Sequence, residues 1–202
     1  MRMVCVTTDQ RCMVNKPHLG KTTMKAQKRD FFDTKTGTLR SEAFDFLFGR
    51  EVRRSARYRG FVTILILEPD RKPQASKTLR TLADLVKKDI RAIDLIARIG
   101  KARFAVLLLE SDLHVAYMVA SRIIDRVSSY VFPKEEGQRV TLSIGGACFP
   151  TTSATTNPSD LFKEAEDALE AAKKTGNTIY FRDFHARKAH QGEGENRTNT
   201  RY

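Results

Sequence analysis

The sequence predicts an α/β domain, and three observations carry that expectation. Phe61–Leu67 is a continuous β-branched and leucine run bounded by Gly60 and Pro69, as a fully buried strand requires. Residues 95–99 and 104–109 are two short apolar runs around a break at Gly100, which reads as a β-hairpin. Segments with helical periodicity alternate with these runs. A chain of 202 residues, 41% hydrophobic, suits one domain with extra segments.

Residues 1–32 are polar, basic and irregular, with Lys16, Lys21, Lys25, Lys28 and Arg29 crowded together. They are expected to form a flexible arm, or an arm that docks on a partner. Gly20-Lys21-Thr22-Thr23 looks like the end of a phosphate-binding loop. The glycine that loop needs five residues earlier is Asn15, and Pro17 and His18 occupy the cradle, so the match is set aside.

A helix is expected over 41–58, with Ser41 as N-cap and Phe44, Leu47, Phe48 and Val52 on one face. Arg53, Arg54 and Arg57 lie on the remaining faces, either solvated or in contact with an anion. After the strand at 61–67, a helix over 76–90 places Leu79, Leu82, Ala83 and Val86 together. Lys87-Lys88 suits the negative end of its dipole. The hairpin over 91–109 follows. A helix over 112–131, capped by Ser111 or Asp112, buries Val115, Val119, Ile123 and Val127. Val140–Ala147 reads as a strand whose Gly145-Gly146 lets another backbone come close. A helix runs from Pro158 to Lys174 and stops at Gly176. Thr178–Phe181 is a last strand. Residues 184–202 lose periodicity and read as a disordered tail.

The net charge of +12 predicts anionic partners without naming one. Cys5, Cys12 and Cys148 are odd in number and widely spaced, which fits a reducing cytoplasm. No apolar run approaches the roughly 20 residues of a membrane helix, and the start lacks a signal-peptide core. A soluble protein with no membrane partner is expected. His18, His114, His185 and His190 are scattered and point to no metal site.

The hairpin carries a more specific signal. Arg91 and Asp94 stand R-x-x-D just before the first strand, and Arg98, Gly100 and Phe104 frame the turn. This stretch resembles the signature hairpin of the GGDEF domain, the bacterial diguanylate cyclase family. Its pattern is R-x-x-D, a short strand, then R-x-G-G-[DE]-E-F. Asp33, Thr36, Gly37 and Phe44 resemble the family's opening D-x-L-T-G-L-x-N-R-x-x-F, and Val140–Ala147 resembles its V-T-x-S-I-G-x-A strand. Ala172–Asn177 resembles its A-K-x-x-G-R-N ending. The resemblance covers about 33–183. It implies a GGDEF-type nucleotide-cyclase-like fold, with a central, mainly antiparallel five-stranded sheet surrounded by helices. The basic arm is then 1–32 and the tail 184–202.

The chain departs from the pattern where the family does its chemistry. At the turn Gly100, Lys101, Ala102, Arg103 and Phe104 replace G-G-[DE]-E-F, so the second glycine and both acids are gone. The family's D-x-D becomes Glu68-Pro69-Asp70. The segment that reads guanine is shortened to 71–76. Joining two GTP molecules requires metal ions held by carboxylates. No catalytic residue, no bound metal and no Mg²⁺ cofactor are therefore expected.

The R-x-x-D pair is kept. In the family it is an inhibitory site for the product, cyclic di-GMP, which often binds as an intercalated pair. An arginine fork can donate to guanine O6 and N7, and a carboxylate can accept from N1–H and N2–H₂. The resemblance implies Arg91, Asp94 and Arg122 as the cyclic di-GMP-binding set. Arg122 lies in Ala120–Ile124, which resembles the family's A-E-R-I-R. The competing reading of Arg91 and Asp94 is a surface ion pair worth under ~1 kcal/mol. Arg98 is read as structural.

The expected function is a non-catalytic cyclic di-GMP receptor in the bacterial cytoplasm. It would signal through a protein partner, docked on the basic arm or the altered cleft, with a ligand-linked homodimer as a further outcome. The alternatives are a nucleotide-independent scaffold and residual GTP-binding or cyclase activity. Nucleic-acid binding is not favoured, because no helix-turn-helix or RNA-binding signature is present.

Overall fold

A computed structural model describes residues 31–73, 76–133, 135, 139–150 and 157–182. Residues 1–30 of the expected arm over 1–32, and the tail over 184–202, lie outside the described residues. The described chain forms strands β1 (Leu39–Arg40), β2 (Val62–Pro69), β3 (Leu95–Arg98), β4 (Phe104–Leu109), β5 (Leu142–Phe149) and β6 (Ile179–Phe181). The helices are α1 (Ser41–Tyr58), α2 (Ser76–Lys87), α3 (Leu113–Ser129) and α4 (Pro158–Thr175).

The strands make one sheet in the order β1-β3-β4-β2-β5-β6. The sheet thus has six strands rather than the five expected. The addition is β1, two residues long, which pairs parallel with β3 through Leu39 and Arg40. A strand this short has no alternation to read. The three inner pairings are antiparallel, and β6 joins β5 in parallel.

β2 sits at the centre because its sequence fits only there. Ile64, Leu65, Ile66 and Leu67 are fully buried, on alternating faces. Such burial contributes roughly 1.5–3 kcal/mol per side chain. On one face Leu65, Leu67, Phe104, Val106 and Leu142 pack against α2 and α3. On the other, Ile64, Ile66, Ala105, Leu107 and Phe149 pack against α1 and α4. β5 brings Gly145 under α4, where a Cβ would collide with Leu169 N and Ala165 O. That is the close backbone approach expected of the glycine pair.

The helix limits carry three corrections. α1 begins at Ser41, but Arg40 is the N-cap residue and no side chain caps it. α2 ends at Lys87 rather than Ile90, because Asp89 turns inward to meet α3. Val115 is only partly buried, whereas Val119, Ile123 and Val127 are buried. The Asp112 cap is present, accepting from Val115 N at 2.9 Å. α4 is capped by Asn157.

Candidate functional site

The β3–β4 hairpin presents two candidate regions, one at each end. At the turn, Ile99 N donates to Arg103 O at 3.0 Å. Arg98 braces this turn. Its Nε donates to Gly100 O at 3.1 Å and its Nη2 to Lys101 O at 2.6 Å. Its Nη1 lies 3.4 Å from Asp33 Oδ2, so the opening motif and the turn are tied together. Thr36 and Arg98 overcome burial to hold the Asp33 carboxyl below its ordinary range. Arg98 is therefore structural, and Phe104 is wholly buried in the core.

Arg103 projects from the turn onto Glu68 at the end of β2. Its Nε donates to Glu68 Oε2 at 2.8 Å, and its Nη2 stands 2.8 Å from the same oxygen. The other oxygen of Glu68 accepts from Lys173 Nζ at 2.9 Å. Arg103 also reaches Glu166 at 3.2 Å and Glu170 at 3.5 Å on α4. Burial pushes the Glu68 carboxyl up, but Lys173 and Arg103 outweigh it and leave the group below its ordinary range. Asp70 is occupied too, accepting from Ser143 Oγ and from Asn177 N.

The residues at this end do not fit a divalent cation. Both oxygens of Glu68 already face cations, the Ala102 side chain offers no donor atom, and like charges repel a metal. Among the described residues, no cluster of three or more His, Cys, Asp or Glu side chains is placed to hold one. A cleft of about 450 Å³ remains between Glu68, Lys72, Lys101, Arg103 and Lys173. A second groove of about 550 Å³ lies on the other side of Arg103, walled by Asp45, Phe48, Phe162 and Glu166. Burial, with Glu42 nearby, raises the Asp45 carboxyl.

At the other end of the hairpin, Arg91–Asp94 form a tight turn. Asp94 N donates to Arg91 O at 3.0 Å, and Asp94 Oδ2 accepts from Arg91 N at 2.8 Å. Asp94 Oδ1 accepts from Leu109 N at 3.0 Å and so fastens the turn to the end of β4. The expected alternative, a surface ion pair between Arg91 and Asp94, is not what forms. The carboxylate binds backbone, and the exposed Arg91 guanidinium has no partner among the described residues.

Arg122 on α3 is exposed and donates from Nη2 to Asp89 O at 3.2 Å. It stands beside the segment leading into Arg91. Arg126, one turn on, holds the buried Asp89 carboxylate with bonds of 2.6 and 2.8 Å. Sequence reading named Arg91, Asp94 and Arg122; the first two share one turn, and Arg122 lies on α3 against Asp89 O. That reading missed Glu166, Glu170 and Lys173 as partners of the turn. The signal was there: a charge reversal at Arg103 needs carboxylates, and Glu166 and Glu170 sit one helical turn apart.

A mixed sheet with antiparallel centre, helices on both faces and a hairpin turn beside the end of the central strand defines a nucleotide-cyclase-like domain. The family model for the diguanylate cyclase GGDEF domain matches residues 72–178, more than half of the chain, and the chain belongs to that family. The probable diguanylate cyclase DgcT of Escherichia coli (strain K12) is 35% identical over 115 residues, which cover 55% of this chain and 25% of that protein. The chain spans about a quarter of the length of the curated relatives it matches.

Among solved structures, the GGDEF domain of PA1120 (TpbB or YfiN) from Pseudomonas aeruginosa superposes with a TM-score of 0.69 at 22% identity. It covers 79% of this chain and 99% of that one. The coiled coil and GGDEF domain of DgcB from Caulobacter crescentus, in complex with c-di-GMP, superposes with a TM-score of 0.72 at 18% identity. It covers 79% of this chain and 90% of that one. At these identities the likeness is one of fold.

Proposed function

We propose that this chain is a GGDEF domain that binds cyclic di-GMP at Arg91, Asp94 and Arg122 without making it, and that it passes the signal to a protein partner. One observation carries the reading, the contrast between the two ends of one hairpin. At the turn the chain's own ion pairs engage the carboxylate that would face a metal, with Arg103 and Lys173 on Glu68. The R-x-x-D end is built and braced, and it offers a guanidinium with no partner among the described residues.

Arg91 suits the O6/N7 edge of guanine. Each oxygen of Asp94 uses one lone pair on backbone and keeps another for N1–H or N2–H₂. Arg122 spends one N–H on Asp89 O and keeps the rest of its fork for phosphate or base. The working unit is residues 33–183, acting in the bacterial cytoplasm. No helix among the described residues is long and apolar enough to cross a membrane.

The test is calorimetric titration of cyclic di-GMP into the wild type, Arg91→Ala and Arg91→Ala/Arg122→Ala, with GTP plus Mg²⁺ titrated in parallel. Micromolar or tighter binding by wild type, lost in the variants, is the expected result, and its stoichiometry reports whether an intercalated pair binds. No binding by wild type leaves a nucleotide-independent scaffold. Mg²⁺-dependent GTP binding with turnover overturns the non-catalytic part.

A further inference from the structure

The outward face of α1 is a row of cations. Its buried face is set by Phe44, Phe48, Val52 and Ser55. Directly opposite, at i, i+4, i+7 and i+11, stand Phe46, Arg50, Arg53 and Arg57, all exposed. At 1.5 Å per residue the row runs about 16 Å along the helix. Phe46 is 67% exposed, and Tyr58, at the last position of the helix and off the row, is 72% exposed.

The arginines of this row pair with no carboxylate of the described residues. Arg54, one position off the row, is drawn to Glu51 at 2.7 Å and Glu110 at 3.6 Å. Arg50 and Arg53 make no ion pair or hydrogen bond to a described residue, and Arg57 lies over the Tyr58 ring at 5.9 Å. Three unneutralised guanidiniums at successive helical turns repel one another. Water and salt screen much of that repulsion, and an anion that spans the three relieves more of it.

We infer that this face of α1 is a docking surface for an acidic helix of a protein partner. Two observations select that occupant. First, every cation on the row is arginine, and exposed aromatics flank it; interface cores are enriched in arginine and aromatic residues and depleted in lysine. Second, the pitch matches. Residues three and four apart on any α-helix lie about 5–6 Å apart on one face. A partner helix with carboxylates at i, i+3 and i+7 therefore offers one acceptor pair to each of Arg50, Arg53 and Arg57. An arginine fork takes a carboxylate in two parallel bonds. The surface lies on the opposite face of the sheet from α2 and α3, and the inference holds whether or not the chain binds cyclic di-GMP.

The test uses the full chain and an alanine-based helical peptide carrying Glu at i, i+3 and i+7, with binding read by fluorescence anisotropy. An isomer of the same composition groups its three Glu consecutively. Variants are Arg50→Glu/Arg53→Glu/Arg57→Glu, its all-Ala counterpart, and a control of equal charge change at exposed sites elsewhere, Lys77→Glu/Arg80→Glu/Lys163→Glu. Circular dichroism melting checks that each variant is folded.

The expected result is preference for the spaced peptide and a loss of roughly tenfold in both row variants but not in the control, the scale that three modest exposed pairs support together. Equal binding of both isomers, or equal loss in the control, reduces the effect to bulk charge and overturns the inference. So does an absence of peptide binding. Tighter, row-dependent binding of a thymidine oligonucleotide or of phosphatidylglycerol vesicles also overturns it, assigning the row to nucleic acid or to a lipid surface.

Discussion

Asp94→Ala should unfold this domain far more readily than Arg91→Ala, although both belong to one four-residue motif. The Asp94 carboxylate accepts from Arg91 N at 2.8 Å and from Leu109 N at 3.0 Å. A hydrogen bond to a charged acceptor contributes roughly 1.5–3 kcal/mol. The Arg91 amide is exposed and water replaces its bond, whereas the bond to Leu109 is partly buried and joins the turn to β4. The expected cost is therefore about 1.5–3 kcal/mol, a fall in melting temperature of roughly 3–12 °C for a domain of this size. Arg91→Ala removes an exposed side chain with no described partner and should stay within about 0.5 kcal/mol of wild type. Asp94→Asn keeps one acceptor and should fall between. Urea unfolding followed by circular dichroism measures all three. If Asp94→Ala unfolds with the same midpoint as Arg91→Ala, the carboxylate is not holding the turn. The same reasoning makes Arg91→Ala the clean probe of ligand binding, since a loss on removing Asp94 reports the collapsed turn as well.

Two other perturbations test the framework. Gly145→Ala places a methyl group into the backbone of α4 at Leu169 and Ala165, so the variant should lose cooperative unfolding and become protease-sensitive. Glu68 has its folded-state pKa lowered, so its contribution is present above the unfolded-state pKa and is lost as pH falls through the folded-state value. Arg103→Met removes one of its two cationic partners. The acid limb of the stability–pH curve should then become shallower, with little change in its shape above neutrality. An unchanged acid limb would show that the Arg103–Glu68 pair is screened into insignificance.

Most of the architecture was legible because the strong signals are periodic. The β2 run, the hairpin around Gly100 and the amphipathic faces of α1, α3 and α4 each repeat over several residues. β1 was not legible, since two residues that pair through a partner strand carry no period of their own. Nor was the role of Asp94. R-x-x-D names the residues, but which atoms the carboxylate meets depends on where Leu109 ends its strand, fifteen residues away. The charge reversal at Arg103 was visible. Its consequence was not, because Glu166, Glu170 and Lys173 come from α4 and are brought there only by the packing of that helix over Gly145.

That cluster also sets what single substitutions at the turn can do. An acid placed at Ala102 alone would stand beside Arg103, which would pair with it as it already does with Glu68. Removing Arg103 alone would leave Glu68 to Lys173 and supply no second ligand. Neither single substitution leaves Glu68 free of cations beside a second carboxylate. Any change at Arg103 disturbs an ion-pair set that joins β2, the hairpin and α4.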